Sequence, residues 1–343
     1  MPALVACLSP YSEETVRAMF KDRHPVELVF VPDPPAQEAV LNATHAAHLV
    51  IADKRHLHRI DRRVLENMRS CLLIQQAAVG FDSIDHRAAA EYGIPVANAA
   101  GYNREAVADW TILAILNLLR HASWGDRQMH AGWWGRTEMM GRQLGSLTVG
   151  IVGLGNVGRR VAELCRGLFA MPVIACDPYL DAETTSGRGA VKVTLDELLR
   201  RADFVSINCP LDEGTRGMIG AREFALMQPH AYFITTARGF IHDERALAEA
   251  LRSKQIAGAG IDVWDKEPPP PDHPLLQFDN VIASPHTAGV TREARANMGR
   301  IAAEQLIMTL DGKRPPRIVN PQVWPAYAKR FEQTFGFAPE RTD

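Results

Sequence analysis

Leu147-Thr148-Val149-Gly150-Ile151-Val152-Gly153-Leu154-Gly155-Asn156-Val157-Gly158 is the stretch on which the fold turns. Leu147 to Val152 reads as a short apolar strand, and Arg159 to Leu168 as a helix. Between them lies G-x-G-x-x-G, which is informative only with a strand before it, a helix after it and an acid about 20 residues further on. The next strand-like run, Pro172 to Cys176, ends at Asp177, nineteen residues past Gly158. Gly153 allows the tight turn, Gly155 lets the backbone approach a pyrophosphate, and Gly158 permits close packing of helix on strand. The helix opening near Asn156 and Val157 offers free N–H groups and a positive dipole end to that anion. Asp177 is placed to accept hydrogen bonds from an adenosine ribose, and a 2′-phosphate there would meet a carboxylate. Pro178-Tyr179 supply no compensating Arg, so NAD is expected rather than NADP.

On either side the same alternation continues. Upstream, strand-like runs fall at Ala3 to Cys7, Val26 to Val31, His48 to Ala52, Cys71 to Gln75 and Ile94 to Ala97. Helical patterns separate them, among them Glu13 to Phe20 with Ser12 as its N-cap, and Asp61 to Met68. Strands alternating with helices imply a parallel sheet. Asn103 can cap a helix running to Leu119 that is apolar nearly all round, which predicts a buried helix where one domain passes into the next. Downstream, strands are expected at Phe204 to Asn208, Tyr232 to Thr235, Gly258 to Val263 and Val281 to Ser284. A final helix from Arg292 to Asp311 can return to complete the first domain. The tail from Pro321 to Asp343 carries Tyr327, Phe331 and Phe335 in a helix-compatible pattern and is expected to pack on the surface. The fold class is therefore α/β, as two Rossmann-like doubly wound parallel-sheet domains. Residues 1–100 with 290–343 would form the substrate (flavodoxin-like) domain and 101–289 the NAD-binding domain.

The composition narrows the function. The 343 residues are 46% apolar and 23% charged, with a formal net charge of −2, which argues against a nucleic acid or an anionic membrane as partner. No window approaches ~18 apolar residues, so no membrane span is expected, and no secretory signal is evident. Cys7, Cys71, Cys165, Cys176 and Cys209 are odd in number, scattered and without C-x-x-C, so they read as reduced thiols of a cytoplasmic protein, and no metal site is expected.

Ligands of doubly wound sheets bind beyond the carboxyl ends of the strands. Three residues that follow strands there suit one reaction: Arg238, Glu267 and His286. Hydride transfer to a carbonyl leaves negative charge on oxygen and needs a proton donor, which imidazole supplies. A carboxylate beside the imidazole stabilises its charged form. Arginine carries a fixed fork of donors suited to a substrate carboxylate. Each residue type alone is more often structural; their joint placement downstream of a nucleotide fingerprint is the signal.

Thr236-Ala237-Arg238-Gly239, Gly260 to Pro268 and Ser284-Pro285-His286-Thr287-Ala288, together with Gly150 to Gly158, resemble the signature blocks of the D-isomer-specific 2-hydroxyacid dehydrogenases. Val79 to Asp85, Asn103 to Asp109, and Cys209-Pro210-Leu211 with Thr215 match as well. The resemblance covers about residues 70–320 well. It implies an active site in an interdomain cleft, a homodimer, and a small 2-oxo or 2-hydroxy acid as substrate. Arg238, Glu267 and His286 map onto the family's catalytic set. The N–H groups of Val79 and Gly80 would hold the substrate carboxylate beside Arg238. Cys209, Pro210, Thr215, Thr236 and Ala237 fall in cofactor-contacting blocks. Asp262, counted with them, falls on a position that modulates the His–Glu pair. Trp134 falls on an aromatic that reaches a neighbouring subunit's site. Lys54, in Asp53-Lys54-Arg55, lies in the loop where relatives bind the far end of the substrate.

Three departures occur: Thr235 replaces a usual Asn, Asp109 a Glu, and Asn156 a common Arg in the glycine loop. Formate-oxidising relatives carry Gln where Glu267 stands, so Glu267 favours a reaction with proton transfer. The expectation is NAD-dependent interconversion of a 2-oxo acid and a D-2-hydroxy acid, of glyoxylate or hydroxypyruvate type. A phosphoglycerate-type dehydrogenase and a non-catalytic NAD(H)-sensing protein are the alternatives. The extra regulatory domain common in the phosphoglycerate branch is not expected.

Overall fold

Side chains along a strand point alternately to opposite faces of its sheet, so a strand buried on both faces is apolar throughout. Ala3-Leu4-Val5-Ala6-Cys7 is such a run and forms β1 (Ala3–Cys7). The computed structural model describes residues 2–21, 23–32 and 36–340; the last three residues of the tail, 341–343, lie outside them. The chain divides into two units, Met1–Asn103 with Arg292–Asp343, and Arg104–Thr291.

In the first unit β1 is followed by α1 (Glu13–Met19), β2 (Val26–Phe30), α2 (Gln37–Thr44), β3 (Leu49–Ala52), α3 (Arg62–Asn67), β4 (Leu73–Gln76), α4 (His86–Glu91) and β5 (Val96–Ala97). The sheet order is β2-β1-β3-β4-β5, all parallel, which is the flavodoxin-type order. Val5 and Cys7 pack with Val16, Met19 and Phe20, whereas Ala6 packs with Val40, Val64 and Leu65. Each face of the sheet thus has its own apolar layer. Ser12 and Asp61 cap their helices by accepting from Thr15 N–H and Val64 N–H.

The second unit runs α5 (Arg104–Arg120), α6 (Ala122–His130), β6 (Val149–Val152), α7 (Asn156–Phe169), β7 (Val173–Cys176), α8 (Ala182–Gly187), β8 (Val191–Lys192), α9 (Leu195–Arg201), β9 (Phe204–Ile207), α10 (Ala221–Leu226), β10 (Tyr232–Thr235), α11 (Glu244–Arg252), β11 (Gly258–Ile261) and β12 (Val281–Ala283). Its seven parallel strands are ordered β12-β11-β10-β9-β6-β7-β8. Read from the β8 edge, this is the dinucleotide-binding order with a seventh strand added. The direction of winding reverses between β6 and β9, the point at which doubly wound sheets bind their ligands. Ile151 and Ala175 pack with Val161 and Ala162 of α7 on one face, and Val205 and Ile207 with Leu198 and Leu251 on the other. The chain then returns to the first unit with α12 (Arg292–Leu310) and α13 (Trp324–Phe335).

Two expectations change. The helix after Asn103 is not buried all round: Asp109, Leu113, Leu116 and Arg120 form an exposed stripe, with Leu113 at 57%. Packing against α7 and strands β10 to β12 covers the rest of α5 but leaves that stripe outward. The tail does more than lie on the surface, because Tyr327 and Phe331 are fully buried against Leu72. No helix of the described residues is long and apolar enough to cross a membrane.

Candidate active site

The glycine loop leaves β6 at Gly153, whose φ of +87° is in the left-handed region. A Cβ there would lie 2.7 Å from Cys209 N, and one on Gly158 would lie 2.1 Å from Gly153 O. Protein packing therefore demands both glycines. Gly155 differs, because a Cβ there would meet nothing within 4 Å. Open space in front of Gly155, and an α7 start that no side chain caps, fit a pyrophosphate approaching the first-turn N–H groups of Asn156, Val157 and Gly158.

Asp177 follows β7, as the sequence predicts. Its Oδ2 accepts Leu154 N–H at 2.9 Å and its Oδ1 accepts Tyr179 N–H at 3.0 Å. The carboxylate thus shapes the glycine loop while keeping further lone pairs for a ribose. Arg188, which sequence reading missed, donates through Nη1 to Leu154 O at 2.7 Å. It follows a short helix and belongs to no motif, so only the fold brings it to the loop. Cys209 and Pro210 extend from β9 beside Gly153. Thr215 spends its hydroxyl inside that segment, donating to Pro210 O at 2.7 Å and accepting from Asp212 N–H at 2.8 Å. All five cysteines are free thiols. Burial pushes Cys209 up to about 11 and Cys7 likewise, so neither is a ready nucleophile.

Arg238, Glu267 and His286 all lie in the second unit, after β10, β11 and β12. Thr236 and Ala237 are half-buried at the end of β10, and Arg238 Nη1 donates to Ala237 O at 2.7 Å. Thr235, at the position of a usual Asn, is fully buried. His286 Nδ1 meets Glu267 Oε2 at 2.8 Å and Oε1 at 3.0 Å. Glu267 Oε1 also accepts Trp264 N–H at 3.1 Å. Burial pushes the Glu267 carboxyl up, but the His286 hydrogen bond and charge, the Trp264 N–H and the Arg238 guanidinium outweigh it and hold the carboxyl below its usual range. With Nδ1 turned to the carboxylate, Nε2 is the nitrogen left for a substrate. Both side chains are about two-fifths exposed, as groups that must meet a ligand should be.

The turn that carries His286 is strained, with φ +55° at a non-glycine residue. Asp262 holds it in place. It is 1% exposed; its Oδ1 accepts Ser284 Oγ–H at 2.5 Å and Thr287 N–H at 2.7 Å, and its Oδ2 accepts Ala288 N–H at 3.0 Å. His286 N–H donates to Asp262 O at 2.8 Å. That geometry gives Asp262 a building role in the turn that carries His286.

In the first unit, Lys54 follows β3, with its Nζ 4.5 Å from the centre of the Tyr11 ring. Burial, then the nearby Arg295 and Arg55, lower its pKa against the opposing pull of Asp53. Val79 and Gly80 follow β4 in a partly exposed loop. Trp134 is 75% exposed. Among the described residues, no group of three or more His, Cys, Asp or Glu side chains could hold a metal ion.

The family described as "D-isomer specific 2-hydroxyacid dehydrogenase, NAD binding domain" matches residues 112–288. A glyoxylate reductase of Aeropyrum pernix is 38% identical over 300 residues, 84% of this chain and 88% of that protein. A D-3-phosphoglycerate dehydrogenase of Archaeoglobus fulgidus is 36% identical over 95% of this chain, which spans only 60% of that relative's length. Among solved structures, D-lactate dehydrogenase from Aquifex aeolicus, complexed with NAD and lactic acid, matches with a TM-score of 0.78 and 27% identity, covering 92% of this chain and 99% of that one. The chain belongs to the D-isomer specific 2-hydroxyacid dehydrogenase family and is an NAD-dependent oxidoreductase.

Proposed function

We propose that the protein interconverts a small 2-oxo acid and its D-2-hydroxy acid, with glyoxylate or hydroxypyruvate as the oxo acid. The observation that carries this reading is the His286–Glu267 pair at 2.8 Å, with Arg238 close enough to act on Glu267. Bound NAD supplies the hydride chemistry. His286 Nε2 donates a proton to the carbonyl oxygen in reduction and takes it back in oxidation, while Glu267 stabilises the imidazolium. Arg238 holds the substrate carboxylate and so turns the reacting carbon toward the nicotinamide, and the N–H groups of Val79 and Gly80 are the first unit's donors for a carboxylate. Gly153, Gly155, Asn156, Val157, Gly158 and Asp177 hold the dinucleotide, with the Cys209-Pro210 segment and Thr236-Ala237 lining its path. Residues 101–289 serve as the cofactor domain, and 1–100 with 290–343 as the substrate domain.

A phosphoglycerate-type substrate is the second reading. Lys54, with Arg295 and Arg55 near enough to act on it, favours it as a place for a second anionic group. The exposed apolar residues Leu113, Leu116, Trp134 and Met140 support a homodimer. Five free thiols support a cytoplasmic location.

NADH oxidation across glyoxylate, hydroxypyruvate, phosphohydroxypyruvate, pyruvate and phenylpyruvate tests the proposal. Glyoxylate or hydroxypyruvate should be reduced fastest; a preference for the phosphorylated acid moves the assignment to the second reading. With the best substrate, reduction should fade at high pH and oxidation at low pH, and His286→Ala should abolish both trends. Silence across the panel with NADH bound would overturn the catalytic reading.

A further inference from the structure

The loop that follows β4 offers two backbone donors and is tied from behind. Among the described residues, neither Val79 N–H nor Gly80 N–H donates to a protein acceptor. The carbonyls of the same peptide planes are all held. Ala78 O accepts Ala99 N–H at 2.9 Å, and Val79 O accepts Asn98 Nδ2–H at 2.8 Å. In a planar trans peptide the C=O of one residue and the N–H of the next point in opposite directions. Fixing Ala78 O therefore aims Val79 N–H, and fixing Val79 O aims Gly80 N–H. Gln76 Nε2–H donates to Gly80 O at 3.0 Å and pins the loop from its far side.

These amides are anchored in turn. Asn98 Oδ1 accepts Ala100 N–H at 3.1 Å, so its Nδ2 must face Val79. Asn98 O accepts Gln305 Nε2–H at 2.9 Å, and Gln305 also donates to Gln75 Oε1 at 3.0 Å. Gln75 Nε2–H donates to Gln76 O, and Gln305 Oε1 accepts Arg317 N–H at 3.1 Å. Gln75, Gln76 and Gln305 are fully buried and Asn98 is 6% exposed. A buried polar network of this kind rigidifies what it touches, and it costs stability wherever it is left unsatisfied. Gln76 Oε1 has no hydrogen-bond partner. The residue thus sustains a buried orphan acceptor while its amide nitrogen holds Gly80 O.

We infer that Asn98 and Gln76 are positioning residues for the reaction: through Val79 O, Asn98 aims Gly80 N–H at the substrate carboxylate, and through Gly80 O, Gln76 holds the far end of the same loop in place. This rests on the reading of Val79 and Gly80 as carboxylate donors given above. It makes carboxylate affinity depend on side chains that never touch the substrate, with Gln305 of α12 bracing them.

Glyoxylate is the probe, because it is little more than a carboxylate and a carbonyl. It is titrated into the enzyme–NAD⁺ complex while the backbone amide resonances of Val79 and Gly80 are followed. In the unaltered protein both resonances should shift. Asn98→Asp, which keeps the acceptor for Ala100 N–H and loses the donor to Val79 O, should weaken glyoxylate about tenfold. Its NADH affinity should stay within about twofold, since its fold and cofactor loop are untouched. Gln76→Glu, which loses the donor to Gly80 O, gives an independent second reading should Asn98→Asp fail to fold. In both variants the KM for glyoxylate should rise more than kcat falls. Unshifted Val79 and Gly80 resonances in the unaltered protein would overturn the carboxylate reading, and the inference with it. Shifts in the unaltered protein with unchanged glyoxylate affinity in the variants would overturn the positioning role alone.

Discussion

Both oxygens of Asp177 already accept backbone N–H groups, from Leu154 and Tyr179. The acid of the nucleotide fingerprint is legible in the sequence because its spacing from the glycines is fixed by one helix and one strand. Its second task is not legible, since it depends on how the turn closes. The same holds for His286 and Glu267: each follows a strand and could be singled out, but the 2.8 Å contact between them depends on the turn built by Asp262. Asp177→Ala should therefore do two things. It should raise the Kd of NADH about tenfold, by removing a ribose acceptor and loosening Leu154. It should also narrow the gap between NADH and NADPH, because the charge opposing a 2′-phosphate is gone. Fluorescence titration of both cofactors checks this. A preference for NADPH in the unaltered protein, or an unchanged ratio in the variant, would sink the assignment.

The segment between β10 and α11 shows what an element needs in order to hold a catalytic group. It carries Arg238 and then turns through Phe240 at φ +61°. Gly217 N–H donates to Phe240 O at 2.7 Å, and Asp243 N–H to Ile219 O at 2.9 Å, so the segment is stitched to the chain before α10. His242 lies in that seam, 1% exposed, beside the Phe233 ring and with neither ring nitrogen hydrogen-bonded. Strand periodicity located β10 but said nothing of this seam, because an aperiodic segment leaves no pattern. Burial pushes His242 down from 6.5 to about 4, against the opposing pull of Glu244 and Asp243. In that window the unfolded chain binds a proton that the folded one refuses, so stability is lost as the pH falls from 6.5 toward 4. The unaltered protein should lose about 2 kcal/mol between about pH 7 and about pH 5 through this residue. His242→Phe, which keeps an aromatic against Phe233, should lose that much less, as read from denaturant unfolding at the two pH values. Equal acid sensitivity in the two proteins would show that His242 titrates freely.

At the scale of the whole molecule, the β/α alternation reveals two parallel sheets, and winding order follows from short right-handed connections. What the alternation conceals is how the chain's last segment is used, because three aromatic residues at helical spacing fit a surface helix and a buried one equally. Arg330 makes the difference. Its guanidinium reaches under α13 to donate to Cys71 O at 2.7 Å, to Tyr92 O at 3.2 Å and to Met68 O. Burial lowers its pKa, and three carbonyls from the segments that precede β4 and β5 compensate for the lost water. Tyr327 and Phe331 close over Leu72 as a result. Arg330→Met keeps the apolar stem but leaves those three carbonyls without the donor, at a cost of about 3 kcal/mol. The midpoint of thermal unfolding for the first unit should fall by roughly 6–12 °C. NADH affinity should not change, because every residue proposed to hold the dinucleotide lies in Arg104–Thr291. Calorimetry with and without NADH separates the two effects. An unmoved midpoint would mean that α13 is held by its aromatic residues alone and that Arg330 is incidental to the fold.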